Sequence, residues 1–158
     1  MTAFAALAEH IGGWAGTNGF RLMPSDPTHD APATADVETR AAGNLVVVGY
    51  TWSHPEDGAQ DGLVVVGAAD EPGTVTALWG DSWHQRPEPV VCTGTVDGGV
   101  VAFGYEYGPG WWWHVVVDGG GSGALRIRMD NSVPEDPVEG RPAETYAAMA
   151  MELRRSDL

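Results

Sequence analysis

Short runs rich in Val, Trp and Tyr follow one another along this chain, and the turn clusters between them leave no room for a crossover helix. Neighbouring strands are therefore expected to pair antiparallel. The runs span 14–23, 35–42, 44–53, 62–68, 74–84, 90–96, 100–107, 111–117, 124–131 and 144–154. Between them lie Asp57-Gly58, Pro72-Gly73, Pro87-Glu88-Pro89, Asp97-Gly98-Gly99, Gly108-Pro109-Gly110 and Gly119 to Gly123, residues that supply a positive or preset φ where a chain reverses. A meander of about eight to ten such strands hides its edges by closing on itself. The pattern predicts a mainly β, antiparallel up-and-down barrel; a two-sheet sandwich is the rival solution. Phe4, Leu7 and Ile11, spaced i, i+3, i+7 ahead of Gly12-Gly13, predict a short N-terminal helix over 3–11. Pro24 to Thr34 and Pro134 to Pro142 read as loops, the first lying over one mouth of the barrel.

The length bounds the answer to one domain, residues 1–158. The net charge of −14 opposes binding to nucleic acid or to an anionic membrane surface. Cys92 stands alone, which excludes an intramolecular disulfide and a Cys-rich metal site. No basic residue precedes Arg21 and no apolar run approaches the roughly 18 residues of a membrane span, so the expected location is cytoplasmic. His10, His29, His54, His84 and His114 show no metal-ligand spacing.

Gly12-Gly13-Trp14-Ala15-Gly16-Thr17, opening the first strand, resembles the Gly-x-Trp-x-Gly motif of the calycin superfamily: lipocalins, fatty-acid-binding proteins and nitrobindins. Leu78 to Trp83, Leu125 to Asn131 followed by Pro134, and Met151 to Arg154 are similar to a bacterial branch of lipocalin-like barrels of unassigned function. The resemblance implies a calycin-type barrel and a structural latch, Trp14 packed beneath Arg154 or Arg155 of the last strand as a cation on an aromatic face. Nitrobindin-like relatives hold haem through a single His. By that resemblance His114, within Trp111-Trp112-Trp113-His114, is the residue to hold a haem; without it, no cofactor is expected.

Side-chain parity in 74–84 places Val75, Ala77, Trp79, Asp81 and Trp83 on one face and Thr74, Thr76, Ser82 and His84 on the other. The first set is expected inward, which puts Asp81 among tryptophans, where an unpaired charge is costly. Arg126 and Arg128 are candidate partners if their face of 124–131 turns inward, as the ligand-carboxylate arginines of fatty-acid-binding proteins do. The alternative is that Leu125, Ile127 and Met129 face the core and both arginines are solvated.

A pocket lined by Trp52, Trp79, Trp83 and Tyr105, with Asp81, His114, Arg126 and Arg128 as its polar groups, suits a flat hydrophobic or aromatic small molecule held without chemistry. The competing view is that the rings simply fill the barrel. An enzyme of the same fold, an isomerase, cyclase or hydrolase, would use Asp81 with His84 or His114. Gly80-Asp81-Ser82 sits inside a strand pattern and lacks the strand-to-helix turn of a hydrolase nucleophile. Gly119-x-Gly121-x-x-Ala124 leads into a strand, whereas phosphate binding needs a helix there. Finally, Leu45 to Val48, Leu63 to Val66 and Trp111 to Val117 are apolar at both parities, which predicts a homodimer joined through sheet exteriors.

Overall fold

Period-two burial is clear over Leu45–His54, Thr74–Asp81, Trp111–Asp118 and Leu125–Val133, whereas Gln85–Asp97 and Glu144–Arg155 depart from it where they are bulged. The computed structural model describes residues 5–121 and 123–157. Ten strands follow in order: β1 (Gly12–Phe20), β2 (His29–Arg40), β3 (Leu45–His54), β4 (Gly58–Ala68), β5 (Thr74–Asp81), β6 (Gln85–Asp97), β7 (Val100–Gly108), β8 (Trp111–Asp118), β9 (Leu125–Val133) and β10 (Glu144–Arg155). Each pairs antiparallel with its sequence neighbours, and β1 pairs with β10 to close the barrel. The sandwich alternative is thereby excluded.

Three expectations need correction. In place of a helix over 3–11, the described residues show a single helical turn, Ala5–Ala8, so the N-terminal helix is not supported; Phe4, one of its three apolar anchors, lies outside the described residues. The run 74–84 is not one strand, because β5 ends at Asp81 and residues 82–84 turn into β6. Pro87-Glu88-Pro89 is not a turn between strands but part of β6, in a bulge between the pairs Asp81–Gln85 and Trp79–Val90. Prolines are tolerated there because β6 and β7 pair only from Gly94–Phe103 to Asp97–Val100, leaving the earlier part of β6 with one free edge.

One end of the barrel is sealed. Trp14 is buried, donates its indole N–H to the His10 carbonyl (2.8 Å) and stacks on the His10 ring. Leu7 is buried beside this end, next to Gly119. Gly16, two residues after Trp14, faces β10 so closely that a Cβ would lie 2.1 Å from the Glu152 carbonyl oxygen, which accounts for the second glycine of the motif. The middle of the barrel is filled by Val46, Val64, Val115, Ile127, Met129 and Leu153, all at most 1% exposed. A bulge between Ala147 and Met149 lets both Tyr146 and Met149 face inward. Asn18 is also buried in β1, with neither amide atom hydrogen-bonded.

The latch expected on Arg154 belongs to Arg155. Its guanidinium carbon lies 4.8 Å from the Trp14 ring centre, while Nη1 and Nη2 donate to the carbonyls of Ile11 (2.8 Å) and Glu9 (2.9 Å). Arg154 is solvated and reaches only Glu152, at 3.8 Å. Arg155→Ala is expected to lower the unfolding free energy by about 1–2 kcal/mol. Arg154→Ala should cost less than about 0.5 kcal/mol. Urea unfolding of the two variants measures the difference, and equal losses would contradict the assignment.

Candidate functional site

The open end of the barrel is organised by one buried carboxylate. Asp81, the last residue of β5, is 4% exposed. Its Oδ1 accepts the backbone N–H groups of Trp83 and His84, each at 2.8 Å, and so shapes the 82–84 turn. Its Oδ2 accepts the Tyr50 hydroxyl (2.7 Å) and the Trp52 indole N–H (3.2 Å), and Tyr50 in turn accepts the Trp79 indole N–H (2.9 Å). Neutral donors thus occupy both oxygens. Burial, followed by the Asp81 charge, pushes the Tyr50 phenol well above its ordinary range, so it stays a donor. Gly62 makes this possible: a Cβ there would lie 2.1 Å from the Tyr50 hydroxyl oxygen.

Arg126 and Arg128, candidate partners of Asp81 only if their face of 124–131 turned inward, are on the outer wall, as in the alternative reading of that strand. Leu125, Ile127 and Met129 take the inward parity of β9, and the arginines pair outside with Glu152 (3.6 Å) and Asp130 (3.0 Å). A guanidinium loses less hydration there than in the barrel interior. His114 is likewise on the outer face, where its ring stacks on exposed Trp112 and Ser132 approaches its Nε2. Trp113 takes the inward position, so His114 is not placed to hold a haem inside the barrel.

Above the carboxylate layer the barrel is not filled. A cavity of about 290 Å³ is lined by Phe20, Leu22, Trp83, His84, Tyr105, Tyr107, Trp113 and Tyr146, with Arg21, Gln85, Asn131 and Ala148 completing the wall. Of the predicted pocket residues, Trp83 and Tyr105 line this space, while Trp52, Trp79 and Asp81 form the layer beneath it. Trp52 stacks on His84 at 5.1 Å, and Trp79 on Trp113 at 5.9 Å with an interplanar angle of 8°. Trp83 stacks on His54 at 4.6 Å, and its indole N–H donates to Asp57 (2.7 Å).

The polar groups of the rim are tied to one another. Tyr107 donates to Asn131 Oδ1 (2.7 Å), Asn131 Nδ2 donates to the Tyr146 hydroxyl (3.2 Å), and Tyr146 donates to the Leu22 carbonyl. Tyr105 donates to Gln85 Oε1 across the unpaired stretch between β6 and β7. Burial pushes Tyr105 up to about 12 and raises Tyr107 as well, so both remain neutral donors.

His84 was expected outward and is the main residue that parity missed. The strand ends three residues earlier, and the turn carries its ring inward, where it lies 4.7 Å from Trp113, with Nε2 at 2.8 Å from Met149 Sδ. The only signal in the sequence was Asp81 itself, an Asx-type turn former before Ser82 and Trp83. Asp81 meets the backbone of His84 rather than its ring, so these two side chains do not form a hydrogen-bonded Asp–His pair. Nor do the described residues hold any group of three or more His, Cys, Asp or Glu placed to bind a metal.

Burial lowers His84 from its ordinary value of 6.5 to about 4; His54 acts in the same direction and Asp81 opposes it. The unfolded chain binds this proton near pH 6.5 and the folded chain only near 4. The contribution is therefore fully present above about pH 6.5 and is lost as pH falls towards 4, by at most about 3 kcal/mol. His84→Gln should flatten that part of the stability profile, read by denaturant unfolding between about pH 7 and 4.5; an unchanged slope would assign the loss to other groups. Compared with known proteins, the chain matches no family model and no curated relative.

Proposed function

We propose that this barrel binds a small planar aromatic or hydrophobic molecule at its open end and releases it unchanged, as a calycin-like carrier or sensor. One observation carries the reading. The barrel is filled with side chains at its middle and sealed end, yet keeps a ring-lined cavity of about 290 Å³ above the Asp81 layer. That volume is near the lower limit of small-molecule sites, about 300–1,000 Å³, and suits a guest of one or two rings. The reading requires no resident cofactor. It also requires no reaction: Asp81 is committed to four donors, and His84 is held neutral.

Intrinsic tryptophan fluorescence should be quenched saturably by 2-naphthol, with one molecule bound per chain. Trp83→Leu is expected to weaken this binding about tenfold, through loss of ring contacts of about 0.5–1.5 kcal/mol. Absence of saturable quenching across a panel of one- and two-ring aromatics would overturn the reading.

We further propose a homodimer through the outer face of β3 to β6. Val47, Val65, Leu78 and Val91 lie side by side across these four strands, with Leu63 in the next row; Leu63 is 42% and Val91 64% exposed. Two chains of charge −14 repel wherever their acidic faces meet, and a two-fold contact on this apolar stripe sets like on like without opposing those charges. Size-exclusion chromatography with light scattering should give twice 16.7 kDa, reverting to 16.7 kDa in Val91→Glu. A monomeric parent protein at micromolar concentration would refute the dimer.

A further inference from the structure

The cavity has the opposite electrical character to the rest of the molecule. Acidic residues outnumber basic ones by 22 to 8 in the chain, yet none of the residues lining the cavity is acidic and one is an arginine. The tyrosines at its rim are donors to neutral acceptors, as described above.

Arg21, just beyond the end of β1, is held for a purpose its own contacts do not exhaust. Its backbone N–H donates to the Ala148 carbonyl (3.0 Å), its Nε to Ala147 O (3.1 Å) and its Nη1 to Pro24 O (3.1 Å). Its guanidinium carbon lies 5.5 Å from the Tyr146 ring centre. These contacts fix the plane of the fork and use only part of its N–H donors. Among the described residues, Arg40, Arg126, Arg128 and Arg154 each have a carboxylate within ion-pair distance; Arg21, Arg86, Arg141 and Arg155 have none, and of these Arg21 is the one that lines the cavity. Asp26, Glu56 and Asp57 line an outer groove that adjoins the cavity through Phe20, Arg21, Leu22 and Trp83, and none of the three lines the cavity itself.

We propose that the guest is an aromatic monoanion, its ring held among Phe20, Trp83, His84 and Trp113 and its carboxylate on the free side of the Arg21 fork. This rests on the carrier reading above and narrows it. An unpaired, immobilised guanidinium at the edge of an apolar cavity favours a planar anion through charge-assisted hydrogen bonds. The same cavity gives a neutral guest only its ring contacts.

The test compares 2-naphthoate with its neutral isostere 2-naphthamide by calorimetry on the intact protein. The expected result is that naphthoate binds at least tenfold more tightly, and that its affinity falls with added salt while that of the amide does not. Arg21→Gln should remove the preference, weakening naphthoate about tenfold while leaving naphthamide within about twofold. Arg21→Lys should keep part of it, since the charge survives and the fork does not. Equal affinity for the two compounds in the parent protein overturns this inference and leaves the carrier reading standing. Equal loss of both in Arg21→Gln assigns Arg21 to loop structure and also overturns it. Failure of both compounds to bind the parent overturns the carrier reading together with the inference.

Discussion

A carboxylate buried among tryptophans is the constraint on which the open end depends. Asp81 is stable there because it meets two backbone amides of its own turn and two side-chain donors from β3, which reach it across the intervening β4. Those four bonds do three things together. They end β5, they turn Trp83 and His84 towards the interior, and they orient Tyr50 and Trp52 as a flat layer across the barrel. Removal of any donor would leave part of a buried charge unsatisfied, which costs more than the bond itself contributes. The layer is correspondingly shielded by a glycine at position 62, where no other residue clears the Tyr50 ring.

That layer divides the barrel into two regimes. Below it, Val, Ile, Leu and Met form one buried cluster, and the latch of Trp14, His10 and Arg155 closes the end. Above it, large rigid rings stand around the wall and hold one another off by stacking and edge contacts. Phe20 meets Trp83 edge-on at 81°, and Trp52 meets Trp83 at 84°. Rings packed this way cannot collapse into the centre as aliphatic chains would, and this keeps the space open. The rim hydrogen bonds from Tyr107 to Leu22 hold β7, β9, β10 and the loop after β1 in one frame.

Much of the barrel was legible from local pattern. Turn residues between alternating runs point to an antiparallel meander, whose two edges can be hidden by closure or by a sandwich; the pairing of β1 with β10 decides for closure. The inward positions of Trp79 and Asp81 follow from parity, whereas Trp83, beyond the end of β5, is placed by the turn that Asp81 makes. What failed did so where the signal is degenerate. In Trp111 to Val117 both parities are apolar, so nothing in the run says that Trp113 rather than His114 faces inward; the register with β9 decides it. His84 was assigned outward because parity was extended through a turn whose cause, the Asp81 side chain, acts on the backbone and leaves no periodic trace. The choice between Arg154 and Arg155 depends on where β10 ends relative to Trp14, and no pattern in one strand contains that register.

The position of the cation in the cavity follows from the same division. A guanidinium at the depth of Ile127 or Met129 would lose its hydration on every side and need a buried carboxylate in return, and the buried carboxylate of the layer above, Asp81, is already satisfied. Arg126 and Arg128 therefore face water. At the lip, Arg21 gives up only part of its hydration: backbone carbonyls and the face of Tyr146 replace what is lost, and no counter-ion is required. A fold that cannot hold a positive charge deep in its core can hold one at its edge, next to the cavity its rings leave open. The wall's charge and the cavity's shape are thus set together by where a charged group can keep its partners, Asp81 in the layer beneath and Arg21 at the lip.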